Sequence, residues 1–98
     1  MKNLEEKIAE KTPSLVAFVH AAEHDGVDVK HITEELSAIY GDKVNIIRVD
    51  SSYNRPVIRK YNLNAYPTWI LFKEGQELMR ESGEKTVNQL SQLIERAF

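Results

Sequence analysis

The stretch Tyr61-Asn62-Leu63-Asn64-Ala65-Tyr66-Pro67-Thr68-Trp69-Ile70-Leu71-Phe72-Lys73-Glu74-Gly75 decides the fold. Thr68 to Phe72 is aromatic and β-branched enough to read as a strand, and Pro67 bounds it at its start. Glu74-Gly75 is a tight turn, so Gln76 to Arg80 is expected to return as the second arm of a hairpin. Upstream, Asn62 to Tyr66 is a loop. It follows a short helix that opens at Asn54-Arg55-Pro56, with proline in its first turn, and closes near Tyr61.

Working outward, Val44 to Val49 is a nearly all-apolar strand ending at Asp50, and Leu15 to Val19 is a continuous apolar run of the kind covered on both faces of a sheet. Between them lies a long helix running to about Tyr40. Its expected buried stripe is Val29, Ile32, Leu36 and Ile39, Gly41 is its C-terminal stop, and Asp25 is its cap, with Asp28 in the first turn. Asn3 to Lys11 reads as a short helix with Leu4 and Ile8 on one face and Asn3/Glu6 at capping-box spacing, stopped by Pro13. After a loop at Ser82-Gly83, Thr86 and Gln89 repeat that spacing, and Val87, Leu90, Ile94 and Phe98 are expected to face inward along the last helix. The order is αβαβαββα. Two parallel strands joined by a right-handed helical crossover, followed by a hairpin, make one α/β domain with a mixed four-stranded sheet and helices on both faces.

Composition excludes several function classes. Ninety-eight residues make one domain, and 13 basic against 15 acidic side chains give a net charge of −2. That balance lacks the basic field that drives nucleic-acid binding. No apolar run approaches the roughly 20 residues of a membrane span. Met1 to Glu6 is charged and helical in character, unlike a secretory leader, so a cytoplasmic location is expected. Cysteine is absent altogether. Disulfides, thiolate metal ligands and thiol nucleophiles are removed with it.

The element order and several local segments resemble the thioredoxin family, without that fold's first edge strand. Tyr61-Asn62-Leu63-Asn64-Ala65-Tyr66-Pro67-Thr68 is similar to the family's Tyr-Gly-Ile-…-Pro-Thr segment, whose proline is cis. Leu71-Phe72-Lys73-Glu74-Gly75 is similar to its Leu-Phe-Lys-x-Gly hairpin, Val49-Asp50 to its strand end, and Gly83 to the glycine before its last helix. The resemblance covers Lys11 to Phe98. It places Ala22-Glu23-His24-Asp25-Gly26 where the family has Trp-Cys-Gly-Pro-Cys, so Glu23 and Gly26 stand at the two cysteine positions. It also places Ala17 and Ile46 where redox members keep a buried aspartate and a lysine that tune thiol pKa values. Loss of both charges is what an apolar core favours once no thiol needs tuning.

The resemblance further implies that the residue before the proline, Tyr66, offers its backbone to an extended peptide. Tyr66, Pro67 and Gly83, beside the loop Ala22 to Gly26, would line that groove. The expected function is therefore a non-redox protein- or peptide-binding adaptor or chaperone-like module, not an enzyme. Its expected partner is an unidentified protein or peptide, and it needs no cofactor, nucleic acid or membrane. It is expected to be a monomer or weak dimer.

Two alternatives concern the same loop. Glu23, His24 and Asp25 supply carboxylate and imidazole, but no nucleophile with an orienting third group accompanies them. His20, His24, Asp28 and His31 carry zinc- or nickel-ligating chemistry at a spacing that matches no recognised metal signature. In Asp25 the simplest reading is a helix cap. Arg55, Arg59 and Lys60 read as a solvated helix face, Ser51 and Ser52 as turn residues, and Trp69 as core.

Overall fold

The computed structural model describes residues 3–21 and 27–98. Its elements are α1 (Leu4–Ile8), β1 (Ser14–Val19), α2 (Val27–Tyr40), β2 (Asn45–Asp50), α3 (Arg55–Lys60), β3 (Thr68–Lys73), β4 (Gln76–Ser82) and α4 (Val87–Glu95), with a 3-10 turn at Gly41–Lys43. The sheet order is β2-β1-β3-β4, with β1 parallel to β2 and antiparallel to β3, and β3 antiparallel to β4. This is the mixed four-stranded α/β arrangement expected from the element order.

Period-two alternation sorts the strand side chains onto two faces. Leu15, Ala17 and Val19 of β1 join Trp69 and Leu71 of β3 in a core closed by Val29 and Leu36 of α2 and by Leu90, Leu93 and Ile94 of α4. On the other face Val16, Phe18, Ile70 and Phe72 pack with Ile8 of α1 and Leu63, and with Val57 and Ile58 of α3 at the margin. There the Tyr61 ring bridges Phe18 and Phe72, at centroid distances of 5.0 and 5.9 Å. Every residue of β1 is buried, as its unbroken apolar run requires.

Local chemistry sets the ends of the elements. Asn3 accepts a 2.9 Å bond from the Glu6 N–H and caps α1. Asn54 accepts from the Val57 N–H and caps α3, with proline in the first turn. At α4, Thr86 and Gln89 form a reciprocal capping box, with bonds of 3.1 and 2.8 Å. In the hairpin, Glu74 and Gly75 have φ of 51° and 83°. Both central positions are thus left-handed, the turn that matches the twist of its flanking strands.

Four expectations are corrected. The first helix ends at Ile8, not Lys11, because the Ala9 and Glu10 N–H groups already bond back to Glu5 and Lys7 in a closing turn. Ile39 is 59% exposed; Thr33 and the partly buried Tyr40 complete the inner face of α2 with Val29, Ile32 and Leu36. Phe98 is 65% exposed because α4 closes at Arg96, while Leu93 and Ala97 hold the inward places. The strand expected at Val44 to Val49 starts at Asn45 and takes in Asp50. As an edge strand it is mostly half-buried despite its apolar composition. The expected Asp25 cap lies outside the described residues.

Candidate functional site

Three chain segments meet at one end of the sheet, where β1 finishes and β3 begins. Pro67 is buried, and the Tyr66–Pro67 peptide bond is cis. The Pro67 carbonyl accepts the Gly83 N–H at 2.8 Å. The Gly83 carbonyl in turn accepts the Trp69 indole N–H at 3.1 Å. Gly83 has φ of 92°, a conformation that side-chain-bearing residues rarely adopt. It lets the chain leave β4 and turn over Pro67 toward α4. The expected trio Tyr66, Pro67 and Gly83 is therefore brought together, with Trp69 locked beneath it.

Beside this trio lies a cleft of about 360 Å³. Its walls are Val29 and Ile32 of α2, Val87 of α4, Pro67 and Trp69, and the Glu84-Lys85-Thr86 segment. The surface is predominantly apolar, with Asp28, His31 and Glu84 at the exposed rim. The Lys85 ammonium lies 3.8 Å from the Glu81 carboxylate. Among the described residues, neither backbone polar group of Tyr66 is engaged by another backbone group. The Tyr66 ring packs on His20 at 5.1 Å between centroids. The Nδ1 atom of His20 is buried and has no hydrogen-bond partner among the described residues.

The expected residues divide clearly. Tyr66, Pro67 and Gly83 converge; His20 joins them through the Tyr66 ring; Asp28 and His31 line the cleft. Among the described residues, no three histidine, cysteine, aspartate or glutamate side chains are grouped so that they could hold a metal ion. The loop residues Ala22, Glu23, His24, Asp25 and Gly26 lie outside the described residues. Sequence reasoning missed Val29, Ile32, Val87 and Trp69 as cleft walls, assigning all four to the core. Arg55, Arg59 and Lys60 are exposed along α3, and Lys60 pairs with Glu5 of α1.

Ala17 and Ile46, which the resemblance aligns with the tuning charges of redox members, lie in apolar surroundings. Ala17 is fully buried, directly across the β1–β3 ladder from Trp69. Ile46 packs at the margin of the same core.

Asp50 ties down the start of the loop. Its carboxylate accepts from the Ala21 N–H at 3.2 Å and the Ser52 N–H at 2.9 Å. The Ser52 hydroxyl and N–H, then the Ala21 N–H and the nearby Arg48 charge, hold the Asp50 carboxyl below its usual range. A depressed folded-state pKa contributes stability above the unfolded value and loses it as pH falls through the folded one. A carboxyl-carbon NMR titration of Asp50 is accordingly expected to show a midpoint below 3.8. Asp50→Asn should flatten the acid limb of the stability–pH curve, and an unchanged limb would remove this role.

Among the described residues, no helix is long and apolar enough to cross a membrane. The sequence profile of the Thioredoxin family matches residues 1–96. The chain is 36% identical over 67 residues to the chloroplastic thioredoxin Y of Oryza sativa subsp. japonica, covering 68% of this chain and 40% of the relative. It is 31% identical over 65 residues to a thioredoxin of Staphylococcus aureus, covering 66% of this chain and 62% of the relative. The matches thus span less than two thirds of those curated relatives. Among solved structures, a designed protein superposes with a TM-score of 0.83 at 24% identity, covering 95% of this chain and 82% of that one. A cysteine-to-serine mutant of Entamoeba histolytica thioredoxin gives 0.79 at 24% identity, covering 95% and 89%. The profile match over nearly the whole length, together with the fold, shows that this cysteine-free chain belongs to the thioredoxin family.

Proposed function

We propose that the chain is a non-redox binding module that holds an extended peptide or protein segment in the cleft beside Pro67, in an adaptor or chaperone-like role. The observation that supports this reading is an apolar cleft lined by Pro67 next to the backbone of Tyr66, which no other backbone group engages among the described residues. An extended segment can place an apolar side chain between Val29, Ile32 and Val87 while its main chain bonds to Tyr66 as a short added strand. Neither interaction uses sulfur, and a chain with no cysteine has no thiol pair to exchange. A cytoplasmic location is part of the same reading, although the rice relative is named as chloroplastic.

The single tryptophan is a built-in probe, because it forms the floor of the cleft. Titrating the isotope-labelled protein with extended peptides rich in apolar residues is expected to change Trp69 fluorescence. The same titration should shift the amide signals of Tyr66, Gly83 and Val87. Saturable shifts confined to other faces, or none with any peptide, would remove the proposal.

A further inference from the structure

We propose that the outer edge of β2 pairs with β2 of a second copy of this chain, joining two four-stranded sheets into one continuous sheet. The site is distinct from the cleft beside Pro67 and does not depend on the reading given above.

The hydrogen-bond ladder defines which backbone groups are open. The Asn45 N–H donates to Pro13 and the Ser51 N–H to Val19, each at 2.8 Å. In a parallel ladder, every second residue addresses the neighbouring strand. Residues 45, 47, 49 and 51 therefore bond to β1, a phase that agrees with the register Leu15↔Ile46 and Ala17↔Arg48. Ile46, Arg48 and Asp50 direct their N–H and C=O groups outward, and among the described residues β2 has no other strand on that side. Among the described residues, no backbone partner meets those groups.

The two edges of the sheet are protected very differently. On β4, Glu77, Arg80 and Glu81 put charges along the strand, and the register shifts irregularly opposite Leu71 and Phe72. Charges and bulges of this kind discourage edge pairing. On β2, three of six residues are the β-branched apolar Ile46, Ile47 and Val49, with no proline and no irregularity in its ladder. A groove of about 370 Å³ runs alongside, between Leu4 and Lys7 of α1 and Ile47 and Val49. This edge has the features of a strand available for pairing.

The occupant follows from charge and register. The strand carries one cation, Arg48, and one anion, Asp50, so two copies do not repel through net charge. An antiparallel pair on a two-fold axis can be centred on Ile47, Arg48 or Val49. Centring on Arg48 sets two guanidinium groups directly opposite, which is destabilising. Centring on Val49 runs the strand past its partner's end. Centring on Ile47 pairs five of the six strand residues, with Ile46 opposite Arg48 of the second copy and Asn45 opposite its Val49, and leaves Asp50 opposite Val44 beyond the partner strand. Ile47 then meets its own counterpart at a non-hydrogen-bonded position, where Cα atoms approach most closely.

Sedimentation equilibrium of the intact chain from micromolar to millimolar concentration tests this. The expected result is a reversible monomer–dimer curve. Arg48→Pro removes an outward N–H without touching the ladder to β1, and should raise the dissociation constant at least about tenfold. In this cysteine-free background, Ile47→Cys should form a disulfide-linked dimer on oxidation, whereas Val49→Cys should form far less, because only position 47 faces itself. A chain that is monomeric at every concentration overturns the proposal. So does a dimer indifferent to Arg48→Pro, or equal cross-linking at both positions. If far-UV circular dichroism shows Arg48→Pro to be unfolded, the two cysteine variants decide alone.

Discussion

Replacing Trp69 with alanine is expected to cost about 3–5 kcal/mol, the range for deleting a fully buried large aromatic. Three observations place it there. The side chain is completely buried. It joins sheet and helix side chains in the larger core, which α2 and α4 close. Its indole N–H is the donor to the Gly83 carbonyl, so this ring anchors the loop that shapes the cleft together with the Gly83 N–H bond to Pro67. A domain of this size has only about 5–15 kcal/mol of total stability, so Trp69→Ala should stand near the unfolding threshold. Denaturant unfolding followed by far-UV circular dichroism measures it. Trp69→Phe separates packing from hydrogen bonding: it keeps most of the volume and leaves the carbonyl without its donor, at an expected cost of about 1–3 kcal/mol. If Trp69→Ala lost less than the phenylalanine variant, the ring would not be the keystone proposed for this face.

The second large effect is expected from Ala17→Asp, which introduces the carboxyl group that the family resemblance assigns to this position. Ala17 is fully buried opposite Trp69, and the nearby Ile46 on the same face offers no counter-charge. An ionised carboxylate there is uncompensated, at a cost of about 3–5 kcal/mol near neutral pH. The pH dependence has a definite sign. Burial raises the folded-state pKa above the unfolded value of about 3.9. The ionisation part of the penalty is therefore absent in acid, where both states are protonated, and grows as pH rises from the unfolded pKa to the folded one. The gap between the denaturation midpoints of Ala17→Asp and wild type should be smallest at low pH, where the cost of packing a neutral carboxyl remains, and should widen toward neutrality. Adding Ile46→Lys should recover part of the loss, read as a coupling energy in a double-mutant cycle. Parallel midpoints at all pH values would mean that the introduced carboxyl reaches solvent, and that the core is not as dry as the packing indicates.

Much of this architecture is legible in one dimension because its causes are local. The Thr86/Gln89 capping box needs only a three-residue spacing, the Glu74-Gly75 turn only two adjacent residues, and the helix cap at Asn54 only its own first turn. The failures share a different cause. Ile39 and Phe98 are apolar residues at plausible helical phase, yet Ile39 lies on the exposed side of α2 and Phe98 lies beyond the end of α4. Strand β2 carries the apolar Ile46, Ile47 and Val49, but those residues do not reveal that, among the described residues, no strand lies on its outer side. Val29, Ile32, Val87 and Trp69 read as ordinary core residues because burial under a neighbouring element and burial along a cleft leave the same pattern in sequence.

By itself, the sequence determined the α/β class, the element order, the family resemblance and the absence of thiol chemistry. Composition, periodicity and a missing residue type need no folded context to be read. Only the tertiary structure decided that Pro67, Gly83 and Trp69 are locked to one another beside a cleft, and that β2 is the outermost strand among the described residues. Both depend on contacts between segments far apart along the chain, and such contacts are set by how sheet and helices pack rather than by any residue's own preference.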